Sequence, residues 1–420
     1  MTLSKYTELA PGLTISRALT GLWQIADLER DGTKVNPLEA ARHMKAYVDA
    51  GFTTFDMADH YGSAEEITGV FRQTYGSDAA QFFTKWVPSP GKITAAQVRE
   101  AVEKAMRRMK TDRIDLMQFH AWQYAHPSWV DCLFWLQELK QEGLIGHLGL
   151  TNFDTAHLQI VVNSGIEVVS NQVCYSLLDQ RAAGDMTSLC LKHGVKLLAF
   201  GTVAGGFLSE KWLGKPEPVL NESLTWSQMK YKRFIDAAGG WEIFQNLLQT
   251  LQPIAQKHGV GIATLASHYM LLQPAVAGVI IGARLGKSEH LAENEGLFSI
   301  QLDEADRASI QTALSSLQKI PGDCGDEYRK APFLTASGDL SHHIDGLPSP
   351  YPTQEGSDGR IKALSGTIWE DIAGFSRAIR KGNHILVSGT TATHGSVQMG
   401  GDDPAAQMHF IIDKVEGAIR

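Results

Sequence analysis

The chain has 420 residues, of which 43% are hydrophobic and 20% charged, and its formal net charge is −8. This balance is that of an ordinary globular protein with enough chain to bury a full core. A negative charge without arginine or lysine blocks argues against nucleic-acid binding, which needs a basic surface.

The cysteines and the lengths of the apolar runs indicate which metal, redox, secreted and membrane classes of protein are excluded. The four cysteines include no C-x-x-C pair, so we expect no zinc site or other metal site and no dithiol redox motif. Few cysteines in a large chain favour a reducing compartment. The first residues lack the basic start and apolar run of a secretory signal, and no run reaches about 18 apolar residues. We therefore expect a cytoplasmic protein that does not enter membranes.

Short apolar runs recur along the first three quarters of the chain and predict eight strands. They lie at residues 18–23, 53–57, 82–86, 114–119, 146–150, 168–172, 196–200 and 278–281. Such near-continuous runs suit parallel strands covered on both faces. Between them, Asn36 before Pro37 and Thr94 before Gln97 are helix-capping patterns. Alternating strands and helices in this number predict an α/β fold, a closed (β/α)8 TIM barrel.

The connection after the seventh predicted strand, residues 201–240, is unusually long for a compact domain. It carries Trp212 and Trp226, and Trp241 follows directly. Two interpretations stay open at this point. The connection either forms a lid over a ligand at the C-terminal face of the barrel, or runs over the surface and packs its tryptophans.

The composition of the sequence changes after the predicted barrel. We divide the chain into a barrel at 1–320, a linker rich in Pro, Gly, Ser and Asp at 321–366, and a small partial α+β segment at 367–420. In that segment, runs at 375–379 and 385–388 predict a hairpin. A final helix capped by Asp403 is predicted to have one apolar face, formed by Met408, Ile411, Ile412, Val415 and Ile419. These elements bury little alone, so they need further strands or a partner.

Chemically capable side chains stand where the second, third and fourth predicted strands end. Asp56, Lys85 and His120 close these strands, and Tyr61 follows in the loop after Asp56. Carbonyl reduction needs a proton donor, and an ammonium beside a phenol lowers the pKa of that phenol. Lys85 would therefore assist Tyr61 as the donor, and Asp56 would hold Lys85. His120 would orient the carbonyl oxygen. Each residue alone is more often packing or a surface charge. Their coincidence on consecutive strands favours function.

The motifs around these residues resemble those of the aldo-keto reductase superfamily over about residues 5–320. GFTTFDMADHYG resembles the family signature, and FFTKW and IDLMQFHAW resemble its lysine and histidine segments. The resemblance implies NAD(P)H-dependent reduction of a small aldehyde or ketone. It assigns Tyr61 as the proton donor, with Lys85, Asp56 and His120 completing a tetrad.

Four further segments resemble the cofactor-binding segments of that family: GLTNF, SNQVCYSLLD, LAFGTVAGGFLS and VIIGARLGKSEHLAEN. The resemblance implies that the carboxamide of the nicotinamide contacts Thr151, Asn152 and Gln172, and that its ring stacks on Tyr175. The residues implied for the pyrophosphate are Gly201, Thr202, Val203, Gly205, Gly206 and Leu208. Those implied for the adenosine are Gly282, Arg284, Ser288, Glu293 and Asn294.

Charge near the adenosine segment bears on the choice of cofactor. Arg284 and Lys287 stand where a 2′-phosphate would lie, which favours NADP, while NAD remains the alternative if both are solvated loop charges. Trp23, Trp86 and Trp122 lie near strand ends. They either wall an apolar substrate pocket or belong to core and rim packing.

The segment at 367–420 resembles the opening half of the reactive-intermediate deaminase (Rid) family, whose complete domain is a trimeric α+β fold. The family's key arginine lies on a later strand, so deaminase activity is not implied. We expect a truncated module docked on the barrel, and oligomerisation through it stays open. Two alternatives to the reductase also remain: a nicotinamide-binding regulatory protein, as the potassium-channel β-subunit relatives suggest, or a Schiff-base enzyme that uses Lys85.

Overall fold

The structure, a computed structural model, describes residues 3–29, 32–221, 223–287, 289–332, 334–335 and 349–420. An antiparallel hairpin, β1 (Tyr6–Ala10) and β2 (Leu13–Ser16), comes first. Within the described residues, eight parallel strands then close a barrel, which confirms the predicted (β/α)8 architecture. They are β3 (Ala18–Gly21), β4 (Thr54–Asp56), β5 (Gln81–Trp86), β6 (Ile114–Phe119), β7 (Ile145–Thr151), β8 (Ser170–Cys174), β9 (Lys196–Phe200) and β10 (Val276–Gly282).

Helices surround the barrel and cover its outer face. They are α1 (Trp23–Glu29), α2 (Pro37–Asp49), α3 (Ala64–Tyr75), α4 (Ala95–Met109), α5 (Ser128–Gln141), α6 (Thr155–Asn163), α7 (Asp185–His193), α8 (Trp226–Ala237), α9 (Trp241–Lys257), α10 (Ile262–Leu271), α11 (Leu291–Gly296) and α12 (Glu304–Ser315). Both predicted caps are present: Asn36 accepts from backbone N–H groups at the start of α2, and Thr94 and Gln97 form a reciprocal capping box. Among the described residues, none of the helices combines the length and apolar character that crossing a membrane requires.

The N-terminal hairpin was not predicted, and it explains which end of the barrel is open. Leu9, Leu13 and Ile15 pack in one buried cluster with Leu19 and Phe83 of the barrel interior. Because the hairpin leads directly into the start of β3, it covers the N-terminal end of the barrel. The C-terminal ends of the strands therefore form the accessible end, where TIM barrels carry their sites.

The first predicted strand was too long at its C-terminal end. β3 ends at Gly21, and Trp23 is the first residue of α1. The backbone turns here because the Leu22 N–H donates to the carbonyl of Asp56, and the Leu22 carbonyl accepts from Ile25. Trp23 consequently leaves the sheet and stands at the mouth of the barrel.

The chain after α12 contains α13 (Asp326–Arg329), β11 (Thr353–Glu355), β12 (Ile361–Ala363), α14 (Ile368–Ala373), β13 (Ala378–Lys381), β14 (His384–Val387), β15 (Thr393–His394), β16 (Val397–Gln398) and α15 (Pro404–Ile419). The predicted hairpin is β13–β14. Two strands from the predicted linker, β11 and β12, join it in one four-stranded antiparallel sheet. Those strands supply the partners that the hairpin needs.

The C-terminal helix docks on the barrel with a face other than the predicted one. Its buried residues are Ala406, Phe410, Asp413, Gly417 and Ala418. Met408, Ile412 and Ile419 of the predicted apolar face are more than half exposed. The reason is electrostatic: the Asp413 carboxylate lies 3.1 Å from Nε2 of His157 on α6, and this buried pair turns an acidic residue inward.

His157 is held between two carboxylates and stacks on an aromatic ring. Its Nδ1 lies 2.6 Å from Oδ1 of Asp154, and its ring lies 3.3 Å from that of Tyr124. Burial alone would lower the pKa of His157, but Asp154 and Asp413 outweigh burial and raise it to about 9. The imidazolium therefore links α15 to α6 at neutral pH.

This arrangement predicts how stability depends on pH. Because the pKa of His157 rises from 6.5 to about 9 on folding, its contribution is complete below pH 6.5 and disappears as the pH rises through 9. Lys414, whose pKa burial lowers to about 8, acts in the opposite direction. We expect the wild type to have a higher denaturation midpoint than His157→Gln, and this difference to shrink as the pH rises from 6.5 to 9. The contribution of Lys414 is present in both proteins and cancels in the difference. A constant difference would contradict the assignment.

Candidate active site

A cavity of about 240 Å³ opens at the C-terminal ends of the barrel strands. The structure brings all four predicted catalytic residues to it: Asp56, Tyr61, Lys85 and His120. The predicted cofactor residues that line it are Thr151, Asn152, Gln172, Gly201, Val203, Gly205 and Gly282. Side chains from distant stretches of chain thus share one small volume.

Asp56 and Lys85 form a buried ion pair at the base of the cavity. Lys85 Nζ lies 2.5 Å from Oδ2 of Asp56 and donates to the carbonyl of Met57 at 2.9 Å, and both side chains are under 5% exposed. The ammonium is 5.1 Å from the ring centroid of Tyr61. The adjacent strands β4 and β5 hold the two side chains together. Because their charges are opposite, the pair leaves little net charge beside the phenol of Tyr61.

Two amides complete the surroundings of the Asp56 carboxylate. Gln118 on β6 donates to its Oδ1 at 3.0 Å, and Gln172 on β8 donates to the same oxygen at 2.7 Å. The two glutamines also contact each other at 2.8 Å. Gln118 was missed in the sequence because an amide inside a strand carries no motif. These donors supply the hydrogen bonds that a buried carboxylate oxygen requires.

The expected effect of Lys85 on the pKa of Tyr61 is not met. Burial raises the pKa of Tyr61 well above 10, and the charge of Asp56 raises it further. Burial also lowers the pKa of Lys85, while its pairing with Asp56 opposes that shift. Because Asp56 compensates the ammonium, Lys85 cannot offset the burial of the phenol. Tyr61 therefore keeps its proton at neutral pH, as a proton donor must.

His120 is fixed by its backbone contact and by neighbouring rings. Its Nδ1 lies 3.3 Å from the carbonyl oxygen of Thr151. Since a carbonyl oxygen only accepts, Nδ1 carries the proton in this contact. The imidazole meets the rings of Trp122 at 4.6 Å and Tyr328 at 5.8 Å, edge to face. These contacts hold one edge of the imidazole against the cavity.

Two of the three predicted pocket tryptophans line the cavity. Trp23 lies 5.0 Å from the ring of Tyr61, and Trp122 stands beside His120. Trp86 is not among the lining residues; it packs against Phe119 at 5.6 Å in the shell between barrel and helices. Successive strand side chains point to opposite faces, so Trp86 must turn away from the cavity that Lys85 faces.

Tyr175, predicted to stack on the nicotinamide, does not line the cavity. It is 1% exposed and packs in the core, and burial raises its pKa to about 12. Phe200, the last residue of β9, lines the cavity instead. The aromatic residue directly before Gly201 is the signal that could have identified it.

Three residues predicted for the pyrophosphate also lie away from the cavity lining. Thr202 is buried, and its hydroxyl lies 2.8 Å from that of Ser267. Leu208 packs in the core, and Gly206 belongs to the short turn Ala204–Gly206, which packs beneath α8. The turn itself reaches the cavity through Gly205 and the preceding Val203.

The adenosine set is spread along the loop after β10. Arg284 Nε donates at 3.3 Å to Gln24, which lines the cavity. Glu293 has an exposed side chain at the start of α11, and Asn294 is buried at its core side. Ser288 lies outside the described residues. Of the described members of this set, Gly282 alone lines the cavity.

The long connection supplies Trp226, which the sequence singled out, and three further cavity residues that it did not. Trp226, Ser227, Lys230 and Tyr231 of α8 line the cavity, as the lid interpretation expects. Trp212 and Trp241 pack around Phe207 at 4.7 and 6.0 Å, as the packing interpretation expects. Each interpretation therefore holds for part of the connection. Tyr328, from the predicted linker, also lines the cavity and had no signal in the sequence.

Known proteins are similar to this chain in sequence and in architecture. The chain is 30% identical over 276 residues to the uncharacterized oxidoreductase YqkF of Bacillus subtilis (strain 168), covering 63% of this chain and 82% of the relative. It is 24% identical over 337 residues to the NADH-specific methylglyoxal reductase of Escherichia coli (strain K12), covering 73% and 97%. A glycerol dehydrogenase structure from Gluconobacter oxydans matches with a TM-score of 0.60 and 22% identity, covering 74% and 95%.

A holo-form aldo-keto reductase structure from Bacillus halodurans matches with a TM-score of 0.58 and 23% identity, covering 74% of this chain and 96% of that one. At these identities, the solved structures show the fold alone. The family assignment rests on the sequence itself, because the model of the aldo/keto reductase family matches residues 19–315. That match spans most of the chain and every predicted catalytic residue. The chain belongs to the aldo/keto reductase family.

Proposed function

We propose that this protein reduces small aldehydes or ketones with a reduced nicotinamide cofactor, and that Tyr61 donates the proton. The observation that carries the proposal is the convergence of Tyr61, Lys85, Asp56 and His120 on one cavity at the open end of the barrel. Family membership supports an oxidoreductase that acts on carbonyl groups. The assignment of individual roles is ours.

The residues at the cavity fit the carboxamide of a nicotinamide. Oδ1 of Asn152 is buried, and no described residue offers it a hydrogen bond. Asn152 also adopts φ of +57°, a backbone conformation that a non-glycine residue keeps only where its surroundings impose it. A carboxamide N–H would satisfy that oxygen. We propose that Phe200 rather than Tyr175 contacts the ring, because only Phe200 lines the cavity.

A bound nicotinamide would supply hydride to the carbonyl carbon. The protein's own part is to place the carbonyl oxygen between Tyr61 and His120 and to deliver a proton as that oxygen becomes basic. Tyr61 holds its proton because burial raises the pKa of its phenol. Lys85, whose ammonium lies 5.1 Å from the ring centroid of Tyr61, pairs with Asp56 and so limits the repulsion between that carboxylate and the phenolate formed when the proton is given. Trp23 and Trp122 line this volume with apolar surface.

We further propose NADP as the cofactor, with NAD as the alternative. Support comes from Arg284, whose guanidinium contacts the cavity residue Gln24, and from Lys287 in the same loop. The Escherichia coli relative bears a name specifying NADH, so the preference has to be measured for this chain.

Reduction of an aldehyde panel, assayed with NADPH and NADH separately, tests the proposal. We expect turnover with at least one aldehyde and a higher kcat/KM with NADPH. Cofactor binding without turnover of any aldehyde would favour the regulatory alternative. The lowered pKa of Lys85 suits an imine-forming amine, so covalent trapping of a carbonyl substrate on Lys85 by borohydride would favour the Schiff-base alternative.

The remaining parts of the proposal concern the chain as a whole. We propose a cytoplasmic enzyme with the reductase unit at 1–320 and a Rid-like partial module at 367–420, joined by 321–366. The family match ends at residue 315, which leaves the C-terminal segment unassigned. The exposed side chains of Met408, Ile412 and Ile419 on α15 support oligomerisation through this segment.

A further inference from the structure

A second lysine–tyrosine pair lines the cavity apart from Lys85 and Tyr61. Nζ of Lys230, on α8, donates to the hydroxyl of Tyr328, on α13, at 2.7 Å. Aromatic rings surround the ammonium, with centroid distances between 4.7 and 5.6 Å: Phe200, Tyr231, Phe234 and Tyr328. These rings hold the ammonium in place at the cavity wall.

The ammonium of Lys230 has more N–H donors than the described side chains use. It carries three N–H groups, and among the described residues its one side-chain hydrogen bond is to Tyr328. No described carboxylate lies within 4 Å of it. Asp56 is the acidic residue among those lining the cavity, and Lys85 already pairs with it. Lys230 therefore presents an ammonium to the cavity with no described carboxylate in contact with it.

Tyr328 is anchored by the residues on either side of it. Glu327 is buried and lies 2.9 Å from Nη2 of Arg181, and Arg329 donates twice to the carbonyl of Ala121, at 2.7 and 2.9 Å. Ala121 directly follows His120, which explains why the Tyr328 and His120 rings are 5.8 Å apart. A residue beyond the matched family region thus reaches the catalytic side of the cavity.

We propose that Lys230 and Tyr328 bind a carboxylate carried by the carbonyl substrate, so that this enzyme prefers anionic aldehydes or ketones. The inference rests on the proposed function and names its substrate class. The phosphates of the cofactor are the other source of anionic oxygen in such a site. The contact of Tyr328 with His120 favours the substrate, because it places the pair beside the proposed carbonyl position. Burial acts to lower the pKa of Lys230, but the net shift is upward and the charge of Glu327 contributes to it, which is consistent with an ammonium at this position.

Two aldehydes of nearly equal shape test the inference: 4-carboxybenzaldehyde, which is anionic, and 4-nitrobenzaldehyde, which is neutral. The kcat/KM ratio of the first to the second is compared among variants of the full chain, so that intrinsic reactivity cancels. We expect Lys230→Met to lower this ratio about tenfold or more, mainly through KM, and Tyr328→Phe to lower it about threefold. Lys330→Met, an exposed lysine two residues from Tyr328, should leave the ratio within about twofold of the wild type.

An unchanged ratio in Lys230→Met would overturn the inference, as would an equal loss for both aldehydes. Weaker cofactor binding with an unchanged ratio would instead assign Lys230 to a cofactor phosphate. Calorimetric titration with benzoate separates this inference from the proposed function, since it needs no turnover. Benzoate binding that Lys230→Met weakens about tenfold or more would sustain the anion site even if no aldehyde were reduced. Benzoate binding equal in both proteins would refute it.

Discussion

Replacing Tyr61 by phenylalanine is expected to lower kcat for aldehyde reduction by about 10²–10⁴-fold, the range that a positioned proton donor contributes. The change removes one oxygen atom and leaves the ring against Trp23 at 5.0 Å, so the shape of the cavity is kept. Cofactor affinity should stay within about twofold of the wild type, because the hydroxyl is assigned to the reacting oxygen. Steady-state kinetics and fluorescence titration of the cofactor measure the two quantities.

The matched control is Tyr75→Phe, which makes the same change on α3, where the ring is tilted against that of Phe71 at 5.1 Å and does not line the cavity. We expect this variant to retain wild-type kcat. Retention of more than about a tenth of wild-type activity in Tyr61→Phe would show that another group supplies the proton. A parallel loss of cofactor affinity would mean that the substitution disturbed the site as a whole.

The parts of the site that could be predicted are those set by local sequence and by the barrel itself. Apolar runs locate the strands, and a closed parallel barrel places every strand end on one rim. Asp56, Lys85 and His120 follow from that geometry, because each lies at the C-terminal end of a strand or within one residue of it. The alternation of side chains along β5 would also have placed Trp86 outside the barrel once Lys85 was placed inside.

The parts that could not be predicted depend on contacts between residues far apart in sequence. Tyr328 reaches the cavity because Arg329 binds the carbonyl of Ala121 and Glu327 meets Arg181, and neither contact leaves a local pattern. The sequence gives no sign that Lys230 is more than a surface residue, because the aromatic rings around its ammonium come from several separate segments of the chain. The docked face of α15 does not follow from its apolar pattern for the same reason, since Asp413 is buried by its pairing with the distant His157.

His157→Gln is expected to weaken the docking of α15 on α6 by about 3–5 kcal/mol at neutral pH, the effect of removing one partner from a buried ion pair. The substitution keeps a hydrogen-bonding side chain of similar size but leaves the carboxylates of Asp154 and Asp413 buried without a cation between them. Burial already raises the pKa of Asp413, and His157 opposes that shift. Hydrogen exchange of the α15 amides measures the docking free energy, and protection should fall by about 10²–10⁴-fold.

Two variants separate this effect from a general loss of stability. His394→Gln removes a histidine from a partly exposed pair, in which Nε2 lies 2.6 Å from Asp131, and should lower protection by less than about 1 kcal/mol. Asp413→Asn leaves the His157–Asp154 pair intact and should have a smaller effect than His157→Gln. If exchange in α15 is unchanged in His157→Gln, apolar packing by Ala406 and Phe410 holds the helix, and the buried charges do not. If exchange rises equally in the barrel strands, the histidine stabilises the whole fold rather than this junction.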